Sequence, residues 1–535
     1  MRCALAAMLS LGGVMTMAVH AQAYDPVEKS IATLQADMTS GAVTSEGLTR
    51  AYLDRIDAID RSGPTLRSVL SINPNALEQA RALDEERANG AIRGPLHGVP
   101  ILLKDNIETK DPIPTTAGSL ALKNNVTGRD APVAARLREA GAVILGKTNL
   151  SEWANIRDQS SISGWSSLGG LTKNAYVLDR NACGSSSGSG VAAAASLAAA
   201  SIGTETDGSI MCPSNMSGLV GIKPTVGLVS RRHIVPISQT QDTAGPMARS
   251  VSDAAILLTA IAGTDPEDPV TAEADIRKKD YAEALNAGAL QDARIGVLRF
   301  EAGFHRRVDA AFEAAIAAMQ NAGATIKDIQ TLETLGEIGR NEWTLLLHET
   351  KADITAYLET SPADLAVRSL DDVIAFNAEN AGDVMPFFGQ GVFELAAETD
   401  GLDAPAYLQA KETAFRLAGP EGIDALLAEH EADVLIAPTG GPAWVSDLAT
   451  GDHFLGASST LAAVSGYPSV TVPMGDVFGL PIGMSFIGPK WSEAALIGYA
   501  YAFEQAAQAR RPPEYLPSLA SAPDAAPGVR GLGID

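Results

Sequence analysis

The chain has 535 residues, of which 46% are hydrophobic and 5% aromatic, and its formal net charge is −24 at pH 7. A chain of this length and composition can bury one very large core or two joined cores. The acidity disfavours nucleic acid and anionic lipid as partners, because phosphate recognition depends on clusters of Lys and Arg. We therefore expect a globular enzyme that binds neither nucleic acid nor membrane.

The first 23 residues have the pattern of an export signal. Arg2 precedes an apolar run over 4–19, and the segment ends in Ala21-Gln22-Ala23, the small-x-small pattern that signal peptidase cleaves. The alternative is a membrane anchor, but the run is shorter than the roughly 20 residues that a span needs. The sequence therefore predicts cleavage after Ala23 and an exported, periplasmic protein.

The cysteine count changes when this signal is removed. Cys3 is lost with it, which leaves Cys183 and Cys212. An exported pair can form a disulfide, whereas two thiols at this spacing cannot supply a four-ligand zinc site. The sequence leaves bridged and free thiols equally open, because it does not give the distance between them. We expect no metal.

The mature chain begins with a helical pattern and continues with strand patterns. Apolar residues at three-and-four spacing predict an amphipathic helix over 48–59. Short apolar runs bounded by Gly, Pro or charge predict buried strands of an α/β sheet, interleaved with helices. These runs are 99–103, 142–145, 295–298, 434–437 and 470–472. Without a repeat or a clear linker, one domain over 24–516 is the simplest interpretation.

Two later segments differ from this pattern. Residues 333–399 are mostly helical in pattern and include an apolar run over 343–347 and an aromatic stretch over 385–389. We interpret 333–399 as a helical elaboration beside the sheet, suited to substrate selection. Residues 517–535 are rich in Pro, Ala and Gly, which predicts a loose tail.

Two loops rich in Ser and Gly, at 183–190 and 203–209, are joined by a small apolar helix over 191–200. A flexible linker could have this composition, but a linker does not lead into an Ala-rich helix that must be buried to be stable. Glycine at such positions allows unusual backbone angles and lets successive N–H groups converge on an anion. The loops therefore predict an oxyanion hole.

Two other patterns overlap this region and predict different chemistry. Residues 184–188 match the Gly-x-Ser-x-Gly elbow of α/β-hydrolases with Ser186 as nucleophile, but that mechanism needs a later acid and then a His. The later histidines, none in a recognisable motif, are His305, His348, His430 and His453. Residues 141–148 satisfy the P-loop pattern, yet their four central residues are a predicted strand rather than a phosphate cradle. No Ser-x-x-Lys occurs, so a serine nucleophile needs another base.

Lys104 is a candidate for that base. It ends the apolar run 98–103, and burial would lower its pKa and let it accept a proton near neutral pH. The alternative is a surface lysine paired with Asp105.

Seven segments together resemble the amidase-signature family over nearly the whole mature chain. They are 94–100, 104–106, 147–153, the two loops, 242–247 and 479–483. The resemblance implies a large mixed central β-sheet covered by helices on both faces, and a catalytic triad of Lys104, Ser185 and Ser209. Ser185 would follow a cis peptide bond, Ser209 would be acylated, and no cofactor would be needed. Backbone N–H groups of Thr206, Asp207, Gly208 and Ser209 would hold the oxyanion.

Within that family, the chain looks most like bacterial peptide amidases. The likeness rests on 206–210, on Cys212-Pro213 and on the helical elaboration, although Ser187 and Asp207 stand where many members have Gly. It implies removal of the C-terminal amide of peptides with release of ammonia. An aryl acylamidase or an oligoamide hydrolase would use the same chemistry. An amidotransferase subunit of the non-secreted type, or a binding protein, is the alternative from another class. Substrate, pocket residues and oligomeric state are left open.

Overall fold

The computed structural model describes residues 24–519. The predicted export signal, its Cys3 and most of the predicted tail lie outside these residues. Within 24–519, no helix is both long enough and apolar enough to cross a membrane.

Thirteen strands are present in the described chain. They are β1 (Val69–Ile72), β2 (Pro100–Lys104), β3 (Val143–Thr148), β4 (Trp165–Ser166), β5 (Gly170–Leu171), β6 (Ala200–Glu205), β7 (Val220–Lys223), β8 (Thr243–Ala248), β9 (Arg294–Leu298), β10 (Thr325–Ile329), β11 (Val434–Pro438), β12 (Ser469–Val477) and β13 (Leu480–Ile487). Strands β4 and β5 form a small hairpin, and the other eleven form one sheet.

Seventeen α-helices surround the strands in the same range. They are α1 (Ile31–Ser40), α2 (Ser45–Arg55), α3 (Ala76–Ala88), α4 (Pro132–Glu139), α5 (Ser187–Ala194), α6 (Met211–Met216), α7 (Val251–Ile261), α8 (Ala274–Arg277), α9 (Arg306–Asn321), α10 (Leu335–Glu359), α11 (Leu370–Glu379), α12 (Ala381–Val384), α13 (Gly391–Ala397), α14 (Pro405–Ala418), α15 (Ala425–Glu429), α16 (Thr460–Ser465) and α17 (Glu493–Ala507).

The eleven-stranded sheet is mixed, with the strand order β1-β3-β2-β6-β8-β7-β12-β13-β11-β9-β10. Strand β2 runs parallel to both of its neighbours, β3 and β6, and β9 runs parallel to β10 and β11. Antiparallel pairs, such as β6 with β8 and β12 with β13, connect these two parallel parts. The predicted α/β fold with a large mixed sheet is confirmed.

Each of the five predicted strand segments falls in a strand of the sheet, namely β2, β3, β9, β11 and β12. These runs are apolar at successive positions because helices cover both faces of the sheet. In β11, Val434 and Ile436 pack into one hydrophobic cluster with α9 and α17, whereas Leu435 and Ala437 pack into another with α14 and α16.

The predicted N-terminal helix and the helical elaboration are also observed. Helix α2 and the turn that follows it bury Leu48, Tyr52 and Ile56. Within 333–399, helices α10, α11 and α13 pack around a separate cluster that includes Trp153, Ile354 and Phe393. The long helix α10 also packs along α14, so helical structure continues beyond residue 399.

Cys183 and Cys212 form a disulfide in the structure. Their Cα atoms are 5.9 Å apart, a separation that suits such a bond. The bond joins the residue before Gly184 to helix α6, which begins directly after the second Ser/Gly loop. It therefore closes a covalent ring around both loops.

We expect the double substitution Cys183→Ser with Cys212→Ser to lower the free energy of unfolding by about 3 kcal/mol, because the bond restricts the unfolded chain over 29 residues. Urea titration of the oxidised protein and of the variant measures the difference. Reductant should shift the wild-type transition towards that of the variant and leave the variant unchanged. Equal transitions for the wild type and the variant, each with and without reductant, would contradict a stabilising bond.

Candidate active site

Lys104 is the last residue of β2 and is fully buried. Its Nζ lies 2.7 Å from Ser185 Oγ, 2.8 Å from Thr204 Oγ1 and 3.2 Å from the Thr204 carbonyl oxygen. Burial lowers the pKa of Lys104 to about 7, although the negative charges of Asp242 and Glu205 act in the opposite direction. A substantial fraction of this lysine is therefore a neutral amine near neutral pH.

The alternative of a surface pair between Lys104 and Asp105 does not fit this geometry. Asp105 is itself buried, accepts a hydrogen bond from Thr116 N at 3.1 Å and lies 3.8 Å from Lys147 Nζ. Burial raises the pKa of Asp105 to about 6, and the ammonium of Lys147 partly offsets that effect. Asp105 thus pairs with the lysine of the neighbouring strand β3.

The first Ser/Gly loop is held rigidly by close packing. The peptide bond between Gly184 and Ser185 is cis, as the family resemblance implied. A Cβ atom at Gly184 would lie 2.1 Å from Ser151 Oγ, and one at Gly188 would lie 2.3 Å from the Ser68 carbonyl oxygen. Neither position has room for a side chain. The linker alternative is therefore excluded, because the loop fits tightly against its neighbours.

The second loop turns sharply between β6 and α6. The Glu205 carboxylate accepts hydrogen bonds from Ile210 N at 2.7 Å and Met211 N at 2.9 Å, which holds the start of α6. Gly208 has a φ of 76°, a left-handed conformation that favours glycine. Ser186 N donates to the Ser209 carbonyl oxygen at 3.1 Å, so the two loops are hydrogen-bonded to each other.

The N–H groups predicted to form the oxyanion hole are free of protein acceptors. Among residues 24–519, no hydrogen bond runs from the backbone N–H of Thr206, Asp207, Gly208 or Ser209 to another residue. Ser209 retains 7% exposure, which lets a small group reach it. The loop can therefore offer these N–H groups to a ligand oxygen.

The three residues of the predicted triad are brought together only in part. Lys104 contacts Ser185, and the loops of Ser185 and Ser209 are joined through their backbones. No hydrogen bond between the hydroxyls of Ser185 and Ser209 is present in the described chain. Such contacts commonly tighten only when substrate is bound.

The two competing patterns are occupied by structural contacts. Ser186 is fully buried, and its Oγ donates to the Thr204 carbonyl oxygen at 3.0 Å and accepts from Thr204 N at 3.2 Å. The hydroxyl of Ser186 therefore holds β6 in place. Residues 143–148 of the P-loop pattern form β3, so they provide no phosphate cradle.

Thr204, which contacts the amine of Lys104, was not singled out from the sequence. The same is true of Glu342, from helix α10, which accepts a hydrogen bond from Gln241 Nε2 at 2.9 Å. Gln241 Nε2 also lies 3.3 Å from the Thr206 carbonyl oxygen. Burial, followed by the nearby carboxylate of Asp207, raises the pKa of Glu342 well above its usual range. No local sequence pattern marks this link, because Glu342 is distant along the chain from both loops.

The comparisons with known proteins agree with this geometry. The family model described as Amidase matches residues 47–497. The chain belongs to the amidase family. It is therefore an enzyme that hydrolyses amides.

Three known proteins are similar over most of the chain. The structure of native peptide amidase from Stenotrophomonas maltophilia is 52% identical, with a TM-score of 0.87, over 91% of this chain and 99% of that one. A probable amidase of Arabidopsis thaliana is 41% identical over 91% of this chain and 92% of its own. A putative amidase of Arthroderma benhamiae is 39% identical over 89% of this chain and 82% of its own.

We expect Gly184→Ala in this amidase to lower kcat on the order of 100-fold, because the added Cβ would displace the loop that carries Ser185. Overpacking should also cost about 1–3 kcal/mol of unfolding free energy. Gly339→Ala is the matched control, since nothing lies within 4 Å of a Cβ at that helical position. Steady-state kinetics and urea titration compare the two variants. Full activity of Gly184→Ala would show that the loop tolerates displacement.

Proposed function

We propose that the protein is a serine amidase that removes the C-terminal amide of peptides through an acyl-Ser209 intermediate and releases ammonia. The observation that carries this proposal is the buried amine of Lys104, 2.7 Å from Ser185 Oγ, on a loop hydrogen-bonded to the loop of Ser209. The likeness to the peptide amidase of Stenotrophomonas maltophilia supports the peptide substrate.

The proposed reaction begins with a proton transfer. Neutral Lys104 accepts the proton of Ser185 as Ser185 takes that of Ser209, and Ser209 Oγ bonds to the amide carbon. The carbonyl oxygen becomes an oxyanion held by the N–H groups of 206–209. The C–N bond then breaks, the proton returns through Ser185 to the nitrogen, and ammonia leaves. Water hydrolyses the resulting ester by the same route.

An exposed aromatic residue of the helical elaboration supports a peptide substrate. Phe387 is 43% exposed and packs edge-on against Trp165, with ring centres 5.6 Å apart. The segment of Trp165 is linked to the first loop, since Gly164 N donates to Ser151 Oγ at 2.9 Å and Ser151 N donates to the Ser185 carbonyl oxygen at 3.1 Å. An apolar side chain of a peptide could be buried against this pair.

We also propose that the protein is exported and that the mature chain starts at Tyr24. The disulfide between Cys183 and Cys212 supports this location, because such bonds persist in oxidising compartments such as the periplasm.

The pKa of Lys104 sets the expected pH dependence. The neutral amine is the base, so kcat/KM should fall as the pH drops through about 7 and the amine becomes protonated. Asp242 and Glu205 both favour the protonated form. Asp242→Asn should therefore move this acidic limb to lower pH, whereas the exposed Asp364→Asn should leave it in place. A limb that moves to higher pH in Asp242→Asn would contradict the role of Lys104.

A serine-directed inhibitor tests the nucleophile and the substrate together. We expect mass spectrometry to locate the adduct on Ser209, and Ser209→Ala to lose both label and activity while Ser186→Ala keeps the label. The intact mass of the labelled, exported protein also reports whether the chain starts at Tyr24. An adduct on Ser186 would overturn the assignment.

The substrate class is tested with the same enzyme. An amidated dipeptide should release ammonia faster than an anilide releases its amine. The reverse preference would favour an aryl acylamidase, and hydrolysis of neither would point to the amidotransferase-type alternative.

A further inference from the structure

The backbone N–H groups of the second Ser/Gly loop are directed by the contacts of its carbonyl oxygens. A peptide unit is planar, and in the trans form its C=O and N–H groups point in opposite directions. Among residues 24–519, the only cis peptide bond precedes Ser185, so the peptide units of the second loop are trans. A contact that fixes a carbonyl oxygen of this loop therefore also fixes the direction of the next N–H group.

The peptide unit between Gly208 and Ser209 is fixed by the backbone. The Gly208 carbonyl oxygen accepts a hydrogen bond from Cys212 N at 2.8 Å, where helix α6 begins. A backbone donor is present whatever side chain it carries, proline excepted. The direction of the Ser209 N–H group therefore follows from the path of the chain and needs no particular side chain.

The peptide unit between Thr206 and Asp207 is fixed by a side chain instead. The Thr206 carbonyl oxygen accepts a hydrogen bond from Gln241 Nε2 at 3.3 Å. Outside the regular helices and strands of the described chain, no backbone N–H group donates to this oxygen. The Thr206 hydroxyl donates to Asp242 at 2.5 Å, but a side-chain contact leaves the following peptide unit free to turn about the Cα–C bond. The direction of the Asp207 N–H group therefore depends on Gln241.

Gln241 is oriented in turn by helix α10. Its side chain is buried, and its Nε2 also donates to Glu342 Oε1 at 2.9 Å. The amide nitrogen of a glutamine carries two N–H bonds, so each of the two acceptors can receive one of them. Because Glu342 holds one N–H bond, the amide group cannot rotate freely, and the other bond stays directed at the Thr206 carbonyl oxygen. The helical elaboration thereby reaches the second loop through one buried glutamine.

We propose that Gln241 is a positioning residue of the reaction: it directs the Asp207 N–H group at the oxyanion through the Thr206 carbonyl oxygen, and Glu342 holds Gln241 in that orientation. The inference rests on the proposed function, because it takes the N–H groups of 206–209 as the donors to the oxyanion. Negative charge develops on the carbonyl oxygen only as the transition state forms. A misdirected donor therefore lowers kcat and has little effect on KM.

Steady-state kinetics of Gln241→Met test this role, with an amidated dipeptide as substrate, or an anilide if the wild type hydrolyses that faster. Methionine keeps the length of the side chain but has no N–H donor. We expect kcat to fall about 10- to 100-fold, because loss of a whole oxyanion donor costs about 100- to 1,000-fold. KM should change less than about threefold.

Two substitutions of Glu342 test how Gln241 is oriented. Glu342→Gln keeps an acceptor oxygen for Gln241 and should retain kcat within about threefold, whereas Glu342→Met has no such acceptor and should lose as much kcat as Gln241→Met.

Gln390→Met is the matched control for Gln241→Met. Gln390 is also buried, and its Nε2 also contacts a carbonyl oxygen and a glutamate, those of Ile374 and Glu394, each at 3.3 Å. These partners belong to helices α11 and α13 of the elaboration and not to the second loop. Gln390→Met should therefore keep kcat, and urea titration shows whether both methionine variants are folded under the assay conditions.

A peptidyl trifluoromethyl ketone gives a readout that a merely structural role would not change. Its carbonyl carbon bonds to Ser209 Oγ, the hydroxyl proton passes through Ser185 to Lys104, and the ketone oxygen becomes the oxyanion. Its inhibition constant should rise in Gln241→Met by about the factor by which kcat falls, and should stay unchanged in Gln390→Met.

The outcomes separate this inference from the proposed function. Unchanged kcat in Gln241→Met, an equal loss in Gln390→Met, or a loss confined to KM would overturn the positioning role, while an inactive Ser209→Ala would still support the proposed function. An active Ser209→Ala would overturn the proposed function and, with it, the role of Gln241. Equal losses in Glu342→Gln and Glu342→Met would overturn the part assigned to Glu342.

Discussion

The burial of one amine is the constraint on which the site depends. Lys104 ends a strand with parallel neighbours on both sides, so its side chain is removed from water, and its only polar contacts in the described chain are Ser185 and Thr204. The cost of desolvating an ammonium favours the neutral form, whereas a lysine at the same distance from Ser185 on the surface would stay protonated. Asp242 and Glu205 limit how far the pKa falls. The sheet therefore both positions the proposed base and sets its basicity.

The loops around Lys104 are held in fixed positions by packing so close that no further side chain fits, and by cross-links. Gly184 packs on Ser151, Ser186 connects to the strand of Thr204, and its backbone N–H reaches Ser209. The disulfide adds a covalent connection across the same two loops. Because the loops are hydrogen-bonded to protein at these points, the free N–H groups of 206–209 stay available without the loop having to be flexible. Rigid donors of this kind need no rearrangement when charge develops on a substrate.

Much of the fold was predictable because the sequence patterns that indicate it lie in short, continuous stretches of the chain. Apolar runs of strand length marked β2, β3, β9, β11 and β12, and the Ser/Gly composition marked the two loops. The place of Lys104 at the end of such a run left both a buried base and a surface lysine open, and the family resemblance favoured the base. The sequence could not decide between a bridged and a free cysteine pair, since only the fold brings Cys183 and Cys212 together. The contact of Glu342 with the second loop was unpredictable for the same reason, because a helix more than a hundred residues later supplies it.

Helix α10, which belongs to the helical elaboration, does more than cover the sheet. Near its start, Glu342 and Asp207 form a close pair of carboxyl groups, and Gln241 connects Glu342 to the Thr206 carbonyl oxygen. Burial, followed by the carboxylate of Asp207, raises the pKa of Glu342, and its hydrogen bond from Gln241 connects the helix to the second loop. Near its end, Asp353 and Tyr357 line a cavity of about 550 Å³ whose inner wall contains Thr204, the partner of Lys104. One helix thus lies near polar neighbours of both Ser209 and Lys104, so a shift of the helix would disturb the surroundings of the proposed nucleophile and of the proposed base.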